Sequence, residues 1–484
     1  MVVVITPQST DPSAGCQLNN LFFEILSVVE STPGMNPPQA SRLYFIVGNL
    51  VWNSFACLHK NFPFVDGFTG TATYLSACTP ETQVWDAFYN RLVIALEEFQ
   101  KYELPNYTPP PSPTDAPPLP AFRAAVQSYL ATRGEDGHKT VQEGFTYPNK
   151  GHYVRVGGPL QNLNEELPDP TTWCPLSVLQ PNGTWKHQIY AAPLFAKVKN
   201  WFTDDEMTTL YGIAEANHPS TKVFDQQVRN AESLCSTLTV QEKINAEIWA
   251  GTDAKKATPP TKWMIVVCIL LAAKRYPVKE SVALIGGISQ TLFHAAIIAW
   301  GVKSKYLQPR PIQIMRQRYY NKPLINPITG ETVNGGEWLP YQASTLWTPP
   351  FPDYVSGHSL FSMACAVFLQ MLTGSDSIPL DGVMIGMEYL RLWGHLFDEC
   401  TEPFMFNHIP LPPGCSLVNP GNDPLCPVYT GWKSWNDLAN EVGMSRIWGL
   451  IHWESSNMGG LALGSQVGQD VFGWFDWAKM KLKL

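Results

Sequence analysis

Between residues 356 and 372 apolar side chains crowd the chain: Leu360, Phe361, Met363, Ala364, Ala366, Val367, Phe368, Met371 and Leu372. A pattern this dense predicts a mostly buried helix rather than one with a wide solvated face. Ser356 and Gly357 fall at its N-terminus, where backbone N–H groups lack partners and favour an anion. Elsewhere the pattern is amphipathic. Val84, Phe88, Leu92, Leu96 and Phe99 recur every three or four residues behind Thr79, a predicted N-cap, with Pro80 suited to the first helical position. Thr203 to Glu206 reads as a capping box ahead of Met207, Leu210 and Ile213. Alternating strand patterns are scarce, although "NPITGETVNGGEW" has the turn residues for a small hairpin. The predicted fold class is all-α.

The 42 prolines collect between these helical stretches, most clearly in "PNYTPPPSPTDAPPLP", residues 105–120, a stiff extended connector. The expected organisation is an N-terminal helical region, 1–104, and a second helical region, 121–240, that completes a first bundle. A C-terminal bundle, 241–484, would then carry the candidate chemistry. Irregular segments around 326–338 and 406–432 bracket the 356–372 helix and are expected near a substrate entrance.

Composition narrows the function classes. The chain has 484 residues, 45% hydrophobic and 15% charged, enough for one large core or two moderate ones. A net charge of -8 and the lack of a Lys/Arg run argue against nucleic acid as a partner. The uncharged apolar run "WMIVVCILLAA", residues 263–273, is shorter than the roughly 20 residues that span a bilayer. With no signal-peptide pattern in "MVVVITPQST", the expected protein is soluble and cytoplasmic, with no membrane partner. Cys57, Cys268 and Cys365 sit in apolar patterns that suit reduced thiols, whereas Cys400, Cys415 and Cys426 share a loop and could pair under oxidising conditions. Oligomeric state is left open.

Three short motifs carry the candidate chemistry. Lys303 and Arg310 lie seven apart, about two helical turns, with Pro311 next; Ser356, Gly357 and His358 follow; Ser445, Arg446 and His452 close the set. Singly, each has a plain structural use: Ser356 as an N-cap, His358 and His452 as core imidazoles, the cations as a solvated face or an ion pair. In the order K-x6-R-P, S-G-H, S-R-x5-H they resemble the three-part signature of the vanadium-dependent haloperoxidases and the type 2 phosphatidic acid phosphatase and acid phosphatase superfamily.

That resemblance implies two packed four-helix-bundle-like halves and a cradle for a tetrahedral oxyanion, with vanadate as cofactor. Lys303, Arg310 and Arg446 would neutralise its charge. Ser356 and the Gly357 N–H would complete the cradle, and His452 would ligate vanadium. His358 and Lys303 would be catalytic, the first as general acid/base and the second polarising bound peroxide. Trp300 and Phe351 stand where fungal-type chloroperoxidases carry the same residues and would wall a halide pocket; as plain residues they could be core aromatics. Brown-algal bromoperoxidases have histidine at the Phe351 position, and His294 or His408 could fold in beside Phe351 to supply an imidazole. The chain departs from the family in four places. Val355 replaces a proline, Gly449 falls one residue early, Ser456 stands in place of an aspartate, and Asp253 lies about two positions from the acid that pairs with a site arginine. Glu454 is the candidate left to orient His452.

The implied function is oxidation of halide, chloride or bromide, by hydrogen peroxide to hypohalous acid, with halogenation of a small organic acceptor. A soluble acid phosphatase working through a phosphohistidine is the alternative, since vanadate and phosphate share a shape. A helical protein that only binds phosphate is a third reading, against which an intact His358 counts.

Overall fold

The computed structural model of the protein describes residues 3–76, 78–113, 117–250, 256–398 and 400–484. The N-terminal half carries α1 (Ala14–Ser31), α2 (Pro37–Ala56), α3 (Glu81–Tyr102) and α4 (Pro120–Gly134). The short α5 (Leu163–Glu166) and then α6 (Asp204–Asn217), α7 (Thr221–Thr237) and α8 (Val240–Ile248) lead into the C-terminal half. There α9 (Pro259–Lys274), α10 (Val278–Tyr306), α11 (Pro311–Arg318) and α12 (Gly357–Thr373) are followed by α13 (Met387–Trp393), α14 (Trp435–Trp448), α15 (Glu454–Gly473) and α16 (Trp477–Met480). The fold is mainly helical, as the apolar periodicity predicts, and forms two packed bundles, as the family resemblance implies.

The bundles meet along α10, which packs on α2 on one side and on α12 on the other. One continuous apolar core therefore runs from Phe22 through Ile285 and Phe368 to Val467. In α15, Gly460, Gly464 and Gly468 recur every four residues; a Cβ on any of them would come within 2.5–2.9 Å of α12 atoms. The three glycines let α15 lie directly on the α12 backbone, which fixes the start of α15 against Ser356.

The α10–α11 stretch contains an 18-residue window of mean hydropathy 1.7, long and apolar enough by length and composition to cross a membrane. That corrects the expectation built on residues 263–273. The window is wholly buried in the protein, as befits a helix with a bundle on both sides.

Local signals mostly hold. The Thr203–Glu206 capping box is formed, and "NPITGETVNGGEW" closes a hairpin between Pro323–Ile325 and Thr332–Asn334. Thr79 is not the N-cap: Pro80 takes extended backbone angles and α3 begins one residue later, at Glu81. The connector joins α3 to α4, which pack together and are tied by ion pairs from Arg123 to Glu97 and Glu98. The irregular 406–432 segment is drawn together by an antiparallel pair, Ile409–Leu411 with Val428–Thr430. It is pinned to α8 where Ser416 Oγ and the Leu417 N–H donate to the Glu247 carboxylate at 2.5 and 2.9 Å. Cys415 and Cys426 carry free thiols.

Candidate active site

Each sequence motif ends a helix, and the helix ends converge. Lys303 lies in the last turn of α10 and Arg310 is the N-cap of α11, where Pro311 takes the first position. Ser356 caps α12, its Oγ accepting from the Ser359 N–H at 3.3 Å, so the N-cap role is real. Arg446 is in the last turn of α14, and His452 sits in the tight link to α15. In that link Leu450 takes a left-handed φ of 54°. Leu450 occupies the position next to Gly449, where the family has its glycine, so the chain holds there a conformation that glycine adopts without strain.

Lys303 is 0% exposed, Arg310 and Arg446 are each 1% exposed, and Asp353 is 0% exposed. Lys303 Nζ donates to the carbonyls of Pro352, Asp353 and Val355 at 2.8, 3.0 and 2.5 Å. All three of its protons point at the 352–355 loop, so its charge reaches the site through that loop. Arg310 Nε donates to Phe351 O at 2.7 Å and Nη1 to Ile451 O at 2.7 Å, linking the loop to the segment before His452. Trp453 Nε1 adds a bond to Pro309 O at 2.8 Å. Burial pulls Arg310 down to about 10 and Arg446 to about 9, the latter aided by Arg310. Both remain cations at neutral pH.

His452 gains the partner its sequence left open. Asp353, from the loop before Ser356, approaches His452 Nδ1 within 2.7 Å through Oδ1, although not along a hydrogen-bond line. Ser456 Oγ and Gln308 Nε2, the latter at 2.8 Å, donate to Oδ2 of the same carboxylate. Serine at 456 thus binds the acid instead of supplying it. Glu454, the candidate read from sequence, faces Asn230 at 2.9 and 3.0 Å and is not the partner. Arg310 Nη1 lies 3.3 Å from Nε2 and a guanidinium only donates, so Nε2 presents its lone pair and Nδ1, beside the Asp353 carboxylate, keeps the ring proton. Burial, then the Arg310, Lys303 and Arg446 charges, hold His452 well below the ordinary histidine range, hence neutral and able to ligate.

His358 behaves in the complementary way. Its Nε2 lies 3.0 Å from Trp249 O, and a carbonyl cannot donate, so Nε2 carries the proton and Nδ1 is the basic atom. Burial, with Arg446 and Lys262, holds it too well below the usual range.

A cavity of about 240 Å³ opens onto His358, Arg446, Phe351, Ile451 and Gln342, with Met35, Pro37, Pro349 and Pro350 at its apolar walls. Phe351 lies 5.0 Å from Trp300 and under both Lys303 Nζ and the Arg310 guanidinium, each 5.1 Å from its ring. Trp300 Nε1 donates to Ala191 O at 2.8 Å. Neither proposed extra histidine joins them. His294 is packed among Phe45, Trp201, Phe202 and Trp474, and His408 stacks on Tyr429 at 4.5 Å. At Gly357 an added Cβ would sit in ordinary van der Waals contact with the Phe361 and Trp300 rings, 3.7 and 3.8 Å away, so these aromatics line the start of α12. Asp253 lies outside the described residues. A larger cleft, about 670 Å³, lies beyond Gln308 and is lined by His218, Phe224 and Tyr306; none of the site cations opens into it.

Residues 283–477 match a family model described as the VCPO second helical-bundle domain. No curated protein sequence matches the chain. Among solved structures it is similar to an apo-type bacterial vanadium-dependent chloroperoxidase, TM-score 0.66 at 16% identity over 93% of this chain and 96% of that one. The holo-type bacterial chloroperoxidase gives TM-score 0.65 at 16% identity over 94% and 96%. A bacterial vanadium-dependent iodoperoxidase gives 0.53 at 16% identity over 96% and 97%. The resemblance carried by the three motifs and the architecture therefore agree: this chain has the fold of the vanadium-dependent haloperoxidases, with the second helical bundle of that family at residues 283–477.

Proposed function

We propose that the protein is a vanadate-dependent haloperoxidase that uses hydrogen peroxide to oxidise chloride or bromide to hypohalous acid. One observation carries this reading: two buried guanidinium cations, Arg310 and Arg446, converge with the buried Lys303 amine, which burial and then Arg310 pull well below the ordinary lysine range, and with only Asp353 as a buried carboxylate among the site residues described. Burying charge without compensation is costly, so a fold that does so is built for an anion. Vanadate fits that donor set, with the Gly357 N–H at the start of α12 as a further donor.

His452 would hold the cofactor through Nε2, with Asp353 and Ser456 setting the ring. Arg310 and Arg446 would spread its charge, and Lys303 would act from behind the 352–355 loop. Bound vanadate would supply Lewis-acid activation of peroxide toward halide. His358, neutral with Nδ1 free, would take a proton from incoming peroxide and return it later. Phe351 and Trp300 would give the halide a dry wall. The apolar rim formed by Met35, Pro349 and Pro350 suits a small organic acceptor.

The test is reconstitution. Metal-free protein incubated with orthovanadate should oxidise bromide in a peroxide-dependent dye assay and should not hydrolyse phosphate esters at comparable rates. Ester hydrolysis without halide oxidation would assign the cradle to a phosphatase; neither activity with retained phosphate would leave an anion-binding protein.

A further inference from the structure

The C-terminal turn of α8 faces the candidate site with its unpaired carbonyls, the negative end of the helix. Each carbonyl from residue 246 to residue 250 has a use. Arg446 Nη2 donates to Ala246 O at 2.5 Å, and His358 Nε2 to Trp249 O at 3.0 Å. Lys262 Nζ donates to the carbonyls on either side of Trp249, Ile248 O at 2.6 Å and Ala250 O at 3.2 Å. Glu247 O takes the Trp249 and Ala250 N–H groups. Lys262 is 1% exposed, comes from α9, and lies in none of the three motifs. Its ammonium also sits 5.7 and 5.8 Å from the Trp249 and Trp393 rings, which wall it on two sides.

A lysine buried this deeply without a carboxylate hydrogen-bonded to it among the described residues is an expensive way to fill space. What it secures is one peptide segment. Gripping the carbonyls at 248 and 250 fixes the orientation of the carbonyl between them, and that one holds the His358 imidazole. We infer that Lys262 is a positioning residue for His358: it clamps the end of α8 so that Trp249 O keeps His358 as the Nε2–H tautomer, leaving Nδ1 to exchange protons. The same turn anchors Arg446 through Ala246, so one helix terminus sets both groups that line the cavity. The inference rests on His358 being the proton-transfer group, but the tautomer can be read without any turnover.

The experiment uses full-length protein labelled with ¹⁵N in its histidine rings, with His358 assigned by loss of its signal in His358→Gln. Wild type should show protonated Nε2 and unprotonated Nδ1 at His358. Lys262→Met should mix the tautomers. After addition of orthovanadate, this variant should lose about tenfold in kcat for bromide oxidation while peroxide KM and vanadate affinity stay within about twofold. Lys262→Arg, which keeps charge and donors, should restore the wild-type spectrum and most of kcat. A wild-type Nδ1–H tautomer overturns the inference even if Lys262→Met does not fold. So does a folded Lys262→Met with an unchanged spectrum, or one in which vanadate affinity and kcat fall together. If the spectra behave as expected but the wild type shows no halide oxidation, the proposed function fails and the positioning role stands.

Discussion

Asp353 Oδ1 lies 2.7 Å from His452 Nδ1, and the same carboxylate is held on its other oxygen by Ser456 and Gln308. An acid on the loop before the Ser-Gly-His motif has replaced the one expected on the helix after His452. The ring still has a carboxylate behind it, delivered from a different element.

If Asp353 sets the His452 ring, Asp353→Asn should lower vanadate affinity by roughly 10- to 100-fold, the usual size of an outer-partner effect. Ser456→Ala, which removes one of the donors to that carboxylate, should cost less. Equilibrium dialysis of vanadate against each variant measures both. Affinity unchanged in Asp353→Asn would show that something else orients the ring.

The two histidines should separate by function. His452→Ala removes the one proposed direct ligand and should abolish vanadium retention. His358→Ala should retain most vanadium yet lose about 10²- to 10⁴-fold in turnover, the range for removing a general acid or base. Metal analysis after gel filtration, beside steady-state assays, distinguishes them. Equal vanadium loss in both variants would mean the roles are misassigned.

Much of this could be read from the sequence, and what could not shares a cause. The spacing of Lys303, Arg310, His358, Arg446 and His452 was legible because each lies in a short motif at a helix end, where local chemistry and local structure coincide. Asp353 belongs to none of the three motifs, because its role depends on how the loop before Ser356 docks: the Ser356 N–H donates to Ser456 O at 2.9 Å, bringing 353 against 452. Lys262 and the end of α8 were silent for the same reason, their bonds being to backbone carbonyls that no residue type advertises. The Gly460, Gly464 and Gly468 spacing is visible in the sequence once one asks which helix must come close. Leu450 shows the converse, a left-handed position that its residue type conceals.

Acid should destabilise the metal-free protein in a predictable direction. His294 donates through Nδ1 to Gln290 O at 2.8 Å and accepts the Trp201 N–H on Nε2 at 3.1 Å, and burial pushes it down to about 3. Between about 6.5 and 3 the unfolded chain therefore holds a proton that the folded one refuses. The stability from this residue is complete above about 6.5 and is lost on acidification by about 1.4 kcal/mol per pH unit. Asp353 and Glu30, raised by burial, act with the opposite sign below neutrality. Comparing wild type with His294→Gln isolates the histidine. The variant should be less stable at pH 7 and show a flatter decline from pH 6.5 to 5 in urea unfolding; parallel curves would refute the assignment.

Phe351 touches Trp300 and underlies both Lys303 and Arg310, and neither His294 nor His408 packs beside it. Such a wall leaves bound peroxide with fewer hydrogen bonds, so the wild type should oxidise chloride as well as bromide. Phe351→His should shift the preference toward bromide. Steady-state rates with chloride, bromide and iodide at acidic and neutral pH give the answer. Oxidation of iodide or bromide only, unaltered by the substitution, would make Phe351 a packing residue.

Titration of metal-free protein with orthovanadate, followed by ⁵¹V NMR and with phosphate as competitor, tests the cradle itself. One vanadate should bind per chain, phosphate should displace it, and His452→Ala should remove the bound signal. Absence of a bound signal, or binding that persists unchanged in His452→Ala and in Arg446→Ala, would contradict a site in which buried cations and one imidazole hold a tetrahedral oxyanion.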